Sequence, residues 1–337
     1  MVHSGDLGES AMQNDQREPS RDGTGVISLQ NEFLSVSILP GAGGNISEIT
    51  DRRTGRNWLW SNPHIPFSDH RSADNYNREL DSGGWDEILL SISPDVVLLE
   101  NKQRLQIPDH GDLIRQNWSA SDSKDAAMSC HMQVSGQSPG YDFSRHIALV
   151  DNEPRMSVRY SFKNNEDFPL PWYWCAHALI AVEPGMRIEL PAAQPYLVED
   201  STGKLNPAER TRHWPDLNVT EDNSVDLSDC FPERGQGIAF ARKIFVEAPE
   251  DGAVSVTIPN SAERLTMRFD RELIPWLGLW INNNGWSGCG SEPYLNLGVE
   301  PGTTPYDSVA RAIENGAIDW IQPGEVRDWS LIVDLAA

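Results

Sequence analysis

Hydrophobic and polar residues alternate over most of this chain. Val26-Ile-Ser-Leu29 and Phe33-Leu-Ser-Val-Ser-Ile-Leu39 put apolar side chains at every second position, the period of a strand with one face on a core. Pro40-Gly-Ala-Gly-Gly44 interrupts the run with turn residues, and Asn45-Ile-Ser-Glu-Ile49 resumes it into Asp51-Arg-Arg-Thr-Gly55. Strand, glycine turn, strand is the form of an antiparallel sheet. The pattern returns in Ala127-Met-Ser-Cys-His-Met-Gln-Val134, His146-Ile-Ala-Leu-Val150 and Arg155-Met-Ser-Val-Arg-Tyr-Ser-Phe162. It recurs across residues 237–241, 253–258, 264–269 and 329–335. Helical patterning is rare; Ser308-Val-Ala-Arg-Ala-Ile-Glu-Asn-Gly316 is its best instance, with a glycine where a C-cap belongs. Strands at short intervals, without regular βα alternation, predict an all-β fold: a large antiparallel β-sandwich with few short helices.

Residues 1–24 are polar and nearly free of large apolar side chains, which predicts a disordered tail. From residue 25 to 337 no composition break marks a linker and no fixed-period repeat occurs, so a single domain is expected. No apolar stretch is long enough to span a bilayer. The first residues carry neither a basic nor an apolar signal segment, and a cytoplasmic location is expected.

A net charge of −23 over 337 residues argues against nucleic acid and anionic membranes as partners, since both require a positive field. Cys130, Cys175, Cys230 and Cys289 are widely spaced, with no CxxC or Cys/His ligand spacing. They are expected to be buried free thiols, and neither a zinc site nor a disulfide framework is expected.

Candidate chemistry begins with Tyr294-Leu-Asn-Leu-Gly-Val-Glu300-Pro-Gly302, where one carboxylate ends an apolar strand just before a Pro-Gly turn. That is a place for a rigidly held general base. Twelve tryptophans outnumber nine phenylalanines, and several stand beside polar residues, among them Trp85, Trp172, Trp174, Trp280 and Trp286. Indole offers a broad apolar face and one N–H, which suits sugar C–H faces and hydroxyl rims as well as it suits a core. Asn282-Asn-Asn-Gly285 reads as a surface turn. His177 lies in the apolar run Trp172-Tyr-Trp-Cys-Ala-His-Ala-Leu-Ile180, a setting for a satisfied core histidine or for an imidazole with a shifted pKa. His110, in Ile107-Pro-Asp-His-Gly-Asp112, is equally a turn residue or a substrate contact. Gly83-Gly-Trp-Asp-Glu87 adds two carboxylates, with Arg78 just upstream.

Taken in order, these segments resemble the aldose 1-epimerase (galactose mutarotase-like) family, in a divergent bacterial branch. Residues 31–49 are similar to that family's opening hairpin, Asp109-His-Gly-Asp112 with Trp118 to its His-Gly segment, and Asn296-Leu-Gly-Val-Glu300-Pro301 to the segment carrying its catalytic glutamate. His177 occupies the place of its catalytic histidine, Arg78 is the nearest arginine to its substrate-binding position, and Asp229-Cys-Phe231 resembles its sugar-binding aspartate motif. The resemblance covers roughly residues 26–335. It implies a β-sandwich enzyme that interconverts α and β anomers of a small carbohydrate by acid/base ring opening, with neither a metal nor a cofactor. Glu300 is then the base and His177 the acid, facing opposite atoms of one sugar, with an imidazole pKa near neutrality. His110, Arg78, Asp229, Glu87, Trp280 and Trp286 are then substrate-binding. Two alternatives stand beside it. One is a same-fold isomerase for a sugar phosphate or other anionic sugar, its cationic pocket drawn from Arg71, Arg78 and Arg115. The other is a non-catalytic carbohydrate-binding module.

Overall fold

A computed structural model describes residues 25–67, 75–99, 101–122, 127–199, 210–218, 224–231, 237–288 and 290–337. The tail expected over residues 1–24, Arg71 and Cys289 lie outside the described residues.

The period-two segments fold into two antiparallel sheets. Among the described residues the larger has eleven strands. Its path runs from Ile27–Gln30 through Leu34–Leu39, Asn45–Asp51, Trp85–Leu89 and Trp174–Ala181 to Leu295–Gly302. It continues through Trp276–Asn283, Phe240–Glu247 and Pro195–Val198 to Thr211–His213. The smaller has eight strands among the described residues, with Val326–Ala336, Arg155–Asn164, Gly140–Leu149 and Ser129–Gln137 adjacent in that order. This is the large antiparallel β-sandwich expected from the alternation. The Gly140–Leu149 strand turns one parity inward: Tyr141, Phe143, Ile147 and Leu149 are buried, while Asp142, Ser144 and His146 face out. Burying each large apolar side chain is worth roughly 1.5–3 kcal/mol, so the alternation fixes which face meets the other sheet.

Most of the tryptophans fill this core. Trp172 and Trp174 lie against Trp329, with ring centroids 4.7 and 5.0 Å away, and Trp329 stacks on Tyr160 at 5.2 Å. Trp85 is also sealed in the interior.

Two local expectations meet different outcomes. The helix forms at Val309–Glu314, with the Ser308 hydroxyl accepting from the Arg311 N–H at 3.2 Å and Gly316 following at φ 63°. The turn read at Asn282 begins two residues later: Asn282 and Asn283 are buried at the end of a strand. Asn282 Oδ1 accepts from the N–H groups of Gly285 and Trp286 at 3.1 and 3.2 Å, so its amide closes the turn from inside. Asparagine's turn preference is here expressed through the side chain.

Candidate active site

The Trp174–Ala181 strand is buried on both faces, which is why its sequence is apolar without alternation. Trp174 and Ala176 share a face with Glu87 and look into the space between the sheets. Cys175, His177 and Leu179 have the opposite parity, and His177 and Leu179 line a cavity of about 180 Å³ on the other side of the sheet. At ~30 Å³ per water this is room for one small polyol.

Register then assembles the site. The pairs Cys175↔Gly302 and Ala178↔Val299 set Glu300 beside His177, and Gly278 pairs with Glu300 on its other flank. Lys243 pairs with Trp280 one row along. Because Gly278 has no side chain, Lys243 reaches across it and its ammonium donates to Glu300 Oε2. A Cβ on Gly278 would stand 3.3 Å from Lys243 Cε. Gly298 makes similar room, since a Cβ there would fall 2.5 Å from Glu300 Oε1. Both glycines are absences that let charged groups meet inside a sheet.

Glu300 is therefore held on one oxygen and open on the other. Oε1 lies 3.7 Å from His177 Nε2 and has no hydrogen-bond partner. Burial pushes this carboxyl up, but the Lys243 charge and then His177 outweigh it and leave it below its ordinary value. Burial also works against the Lys243 ammonium, and Glu300 and Asp307 more than restore it. Burial pushes His177 down to about 4, against the attraction of Glu300. The imidazole is therefore neutral at pH 7, where the resemblance implied a value near neutrality.

His110 comes from a loop. Its backbone has φ 59°, a strained region for a residue with a Cβ, and its N–H donates to the Ile92 carbonyl at 2.7 Å. The ring stacks on Tyr76 with centroids 3.5 Å apart and meets His177 edge-on at 5.4 Å. Nδ1 is 2.8 Å from Asp109 Oδ1, and Arg115 braces the loop through the carbonyls of Asp109 and Gly111, both at 2.6 Å. Trp280 and Trp286 form the apolar side of the cavity, edge to face at 5.8 Å.

Five of the sequence candidates thus surround one cavity: Glu300, His177, His110, Trp280 and Trp286. Three do not. Glu87 faces the sandwich core, where its carboxylate accepts from Arg145 at 3.0 Å, Tyr160 at 2.9 Å and Trp174 at 3.0 Å. Its parity is opposite to that of Asp86, which pairs with His177. Asp229 is exposed in the Leu227–Asp229 turn and pairs with Arg187 at 3.1 Å. Arg78 is exposed on the turn Tyr76–Leu80 and does not line the cavity. The sequence reading missed Lys243, Asp81, Asp307 and Asn296, all of which line it. Among the described residues no group of three His, Cys, Asp or Glu side chains is placed to hold a metal ion. Nor is any helix among them long and apolar enough to cross a membrane.

Comparison with known proteins adds the fold. No family model matches the chain, and no curated protein matches it. Solved structures do. The Slr1438 protein of Synechocystis superposes with a TM-score of 0.67 at 15% identity, covering 95% of this chain and 96% of that one. A galactose mutarotase-like protein of Lactobacillus casei gives 0.64 at 14% identity, with 92% and 100% covered. The aldose epimerase homologue of C. elegans gives 0.64 at 13% identity, with 92% and 98% covered. At this identity the likeness establishes the shared fold, the galactose mutarotase-like β-sandwich.

Proposed function

We propose that the protein is a carbohydrate mutarotase, interconverting the α and β anomers of a free sugar through its open-chain form. One observation carries this reading. A buried, ionised carboxylate with one unpartnered oxygen stands 3.7 Å from a neutral imidazole at the wall of a cavity faced by two tryptophans.

Ring opening moves a proton from the anomeric hydroxyl to the ring oxygen as the bond from C1 to that oxygen breaks. Both oxygens are bonded to C1, so base and acid must be neighbours rather than opposed across the ring, and the 3.7 Å spacing suits this. Glu300 Oε1 takes the anomeric proton and passes it to the adjacent imidazole of His177. The resulting imidazolium, stabilised by the carboxylate, gives the proton to the ring oxygen as the ring opens. Rotation about C1–C2 and the same transfers reversed yield the other anomer, and each group returns to its starting state. A neutral resting His177 is what such a relay requires, because an imidazole protonated beforehand has no free nitrogen to receive the proton. Lys243 holds Oε2 and keeps the carboxylate ionised despite its burial. The His110 imidazole, fixed by Tyr76 and Asp109, is placed to hydrogen-bond sugar oxygens, and the indoles to cover an apolar sugar face.

An anionic-sugar substrate finds less support. Lys243 is the one fixed cation among the described lining residues, and its charge is taken by Glu300 and Asp307. Polarimetry on freshly dissolved single anomers tests the proposal. Catalytic amounts of protein should speed the approach to equilibrium rotation for at least one sugar, and buffer rates throughout a broad panel would refute it.

A further inference from the structure

The fully buried atoms of the cavity wall left without a hydrogen-bond partner are all acceptors. Glu300 Oε1, Asp307 Oδ1 and Asn296 Oδ1 are buried there with no hydrogen-bond partner. Asp81 lines the same space at 4% exposure. Its backbone is satisfied, the N–H by the Tyr76 carbonyl and the C=O by the Asn62 amide, but no described residue hydrogen-bonds its carboxylate. Three carboxyl groups, Asp81, Glu300 and Asp307, thus share one fixed cation. That cation, Lys243, is bound to Glu300 and 3.7 Å from Asp307, which leaves Asp81 without a fixed counter-charge among the described residues. No arginine lines the cavity among the described residues.

Buried acceptors and an uncompensated carboxylate are unfavourable in the free protein and are relieved by a ligand that brings donors and positive charge. A neutral hexose brings donors alone. A sugar phosphate brings more acceptors and the wrong sign. An N-acetylated sugar gives up the charge.

Resting on the reading that this cavity converts anomers, we propose that its preferred substrates are free amino sugars, hexoses bearing a protonated amine, with the ammonium seated against Asp81. Burial holds the Asp81 carboxyl up to about 7, over the pull of His110 and with Asp86 adding to it. An ammonium at hydrogen-bond distance restores its ionised form and converts an unfavourable group into a charge-assisted contact. Asp307 is the lesser seat, because Lys243 already stands beside it.

The test is a matched panel near neutral pH: glucosamine, galactosamine and mannosamine against their parent hexoses, N-acetyl derivatives and 6-phosphates. Anomer conversion is measured on the wild-type protein and on Asp81→Asn. A charge-assisted hydrogen bond corresponds to roughly a tenfold to hundredfold preference in kcat/KM for an amine over its parent hexose. Acetylation should remove that preference, and Asp81→Asn should bring the ratio towards one. If parent hexoses or 6-phosphates turn over as fast as the amines in wild type, the amino-sugar assignment is overturned while anomer conversion stands. A preference that survives Asp81→Asn overturns the seat. Acceleration of no sugar at all overturns both the assignment and the function beneath it. Should Asp81→Asn fail to fold, the amine-to-acetamide ratio on wild-type protein decides alone.

Discussion

At the scale of single residues, the site is organised by what is done to one carboxylate. Glu300 is buried, and without help burial would protonate it; Lys243 supplies the help and occupies only one of its oxygens. Two predictions belong here. Replacing Glu300 by Gln removes the base while keeping its shape, so catalysed anomer conversion should fall by about 10²–10⁴-fold with sugar binding largely retained. The pH dependence is the second. His177 is depressed to about 4 by burial, and Glu300 also lies below its ordinary value, so both remain in their working states as pH falls through the ordinary histidine range. On a neutral sugar, which does not call on Asp81, activity should stay level from neutrality through the mildly acid range and fall with an apparent pKa near 4, a value that belongs to the coupled pair. An acid limb centred at the ordinary histidine value would contradict the burial argument. In Lys243→Met the same limb should move upward, because Glu300 then faces its burial with only a neutral imidazole nearby.

At the scale of elements, the register of three neighbouring strands turns separate residues into a site. Glu300, His177 and Lys243 come from the Leu295–Gly302, Trp174–Ala181 and Phe240–Glu247 strands, and the glycine at 278 opens the path between the last and the first. The glycine at 298 keeps Oε1 free, so Gly298→Ala should displace the carboxylate. A misplacement on the order of 1 Å costs about 10²-fold in rate. Overpacking of this kind costs typically ~1–3 kcal/mol of stability, which a denaturant titration would register. An alanine variant with full activity would show that the carboxylate has other room to work.

This level also marks how far the sequence could be read. Period-two patterning predicts the strands because burial on one face imposes it directly. Glu300 and Trp280 were visible as polar or aromatic exceptions within such runs, and His110 as a histidine in a Gly-flanked loop. Glu87 was misplaced because parity decides its face: next to Asp86 it points through the sheet to Arg145, not towards His177. Lys243 gave no signal, since a lysine in Phe240–Glu247 looks like any solvent-facing strand position until the register shows Gly278, two residues from its partner Trp280, leaving a path to Glu300. Asp81 and Asp307 lie in connections whose paths local pattern does not specify.

At the scale of the whole molecule, the sheets are joined by a polar tie within an aromatic core. Arg145 and Glu87, both with side chains inaccessible to solvent, bridge the gap, and Tyr160 and Trp174 complete the carboxylate's hydrogen bonds. Removing one charge from a buried pair typically costs about 3–5 kcal/mol. Glu87→Gln should therefore lower the unfolding temperature by roughly 10 °C, using ~2–4 °C per kcal/mol for larger domains. Anomer conversion per folded molecule should stay close to wild type, since Glu87 does not reach the cavity. A selective loss of activity at unchanged stability would return Glu87 to the site.

The central claim, that Glu300 and His177 carry protons between two oxygens of one sugar, is tested most directly by magnetisation-exchange NMR at anomeric equilibrium. The account predicts that wild-type protein raises the α/β exchange rate of at least one sugar well above its spontaneous value. Glu300→Gln and His177→Asn, each still binding that sugar, should return the rate to near the spontaneous one. Exchange that persists undiminished in both variants would contradict it.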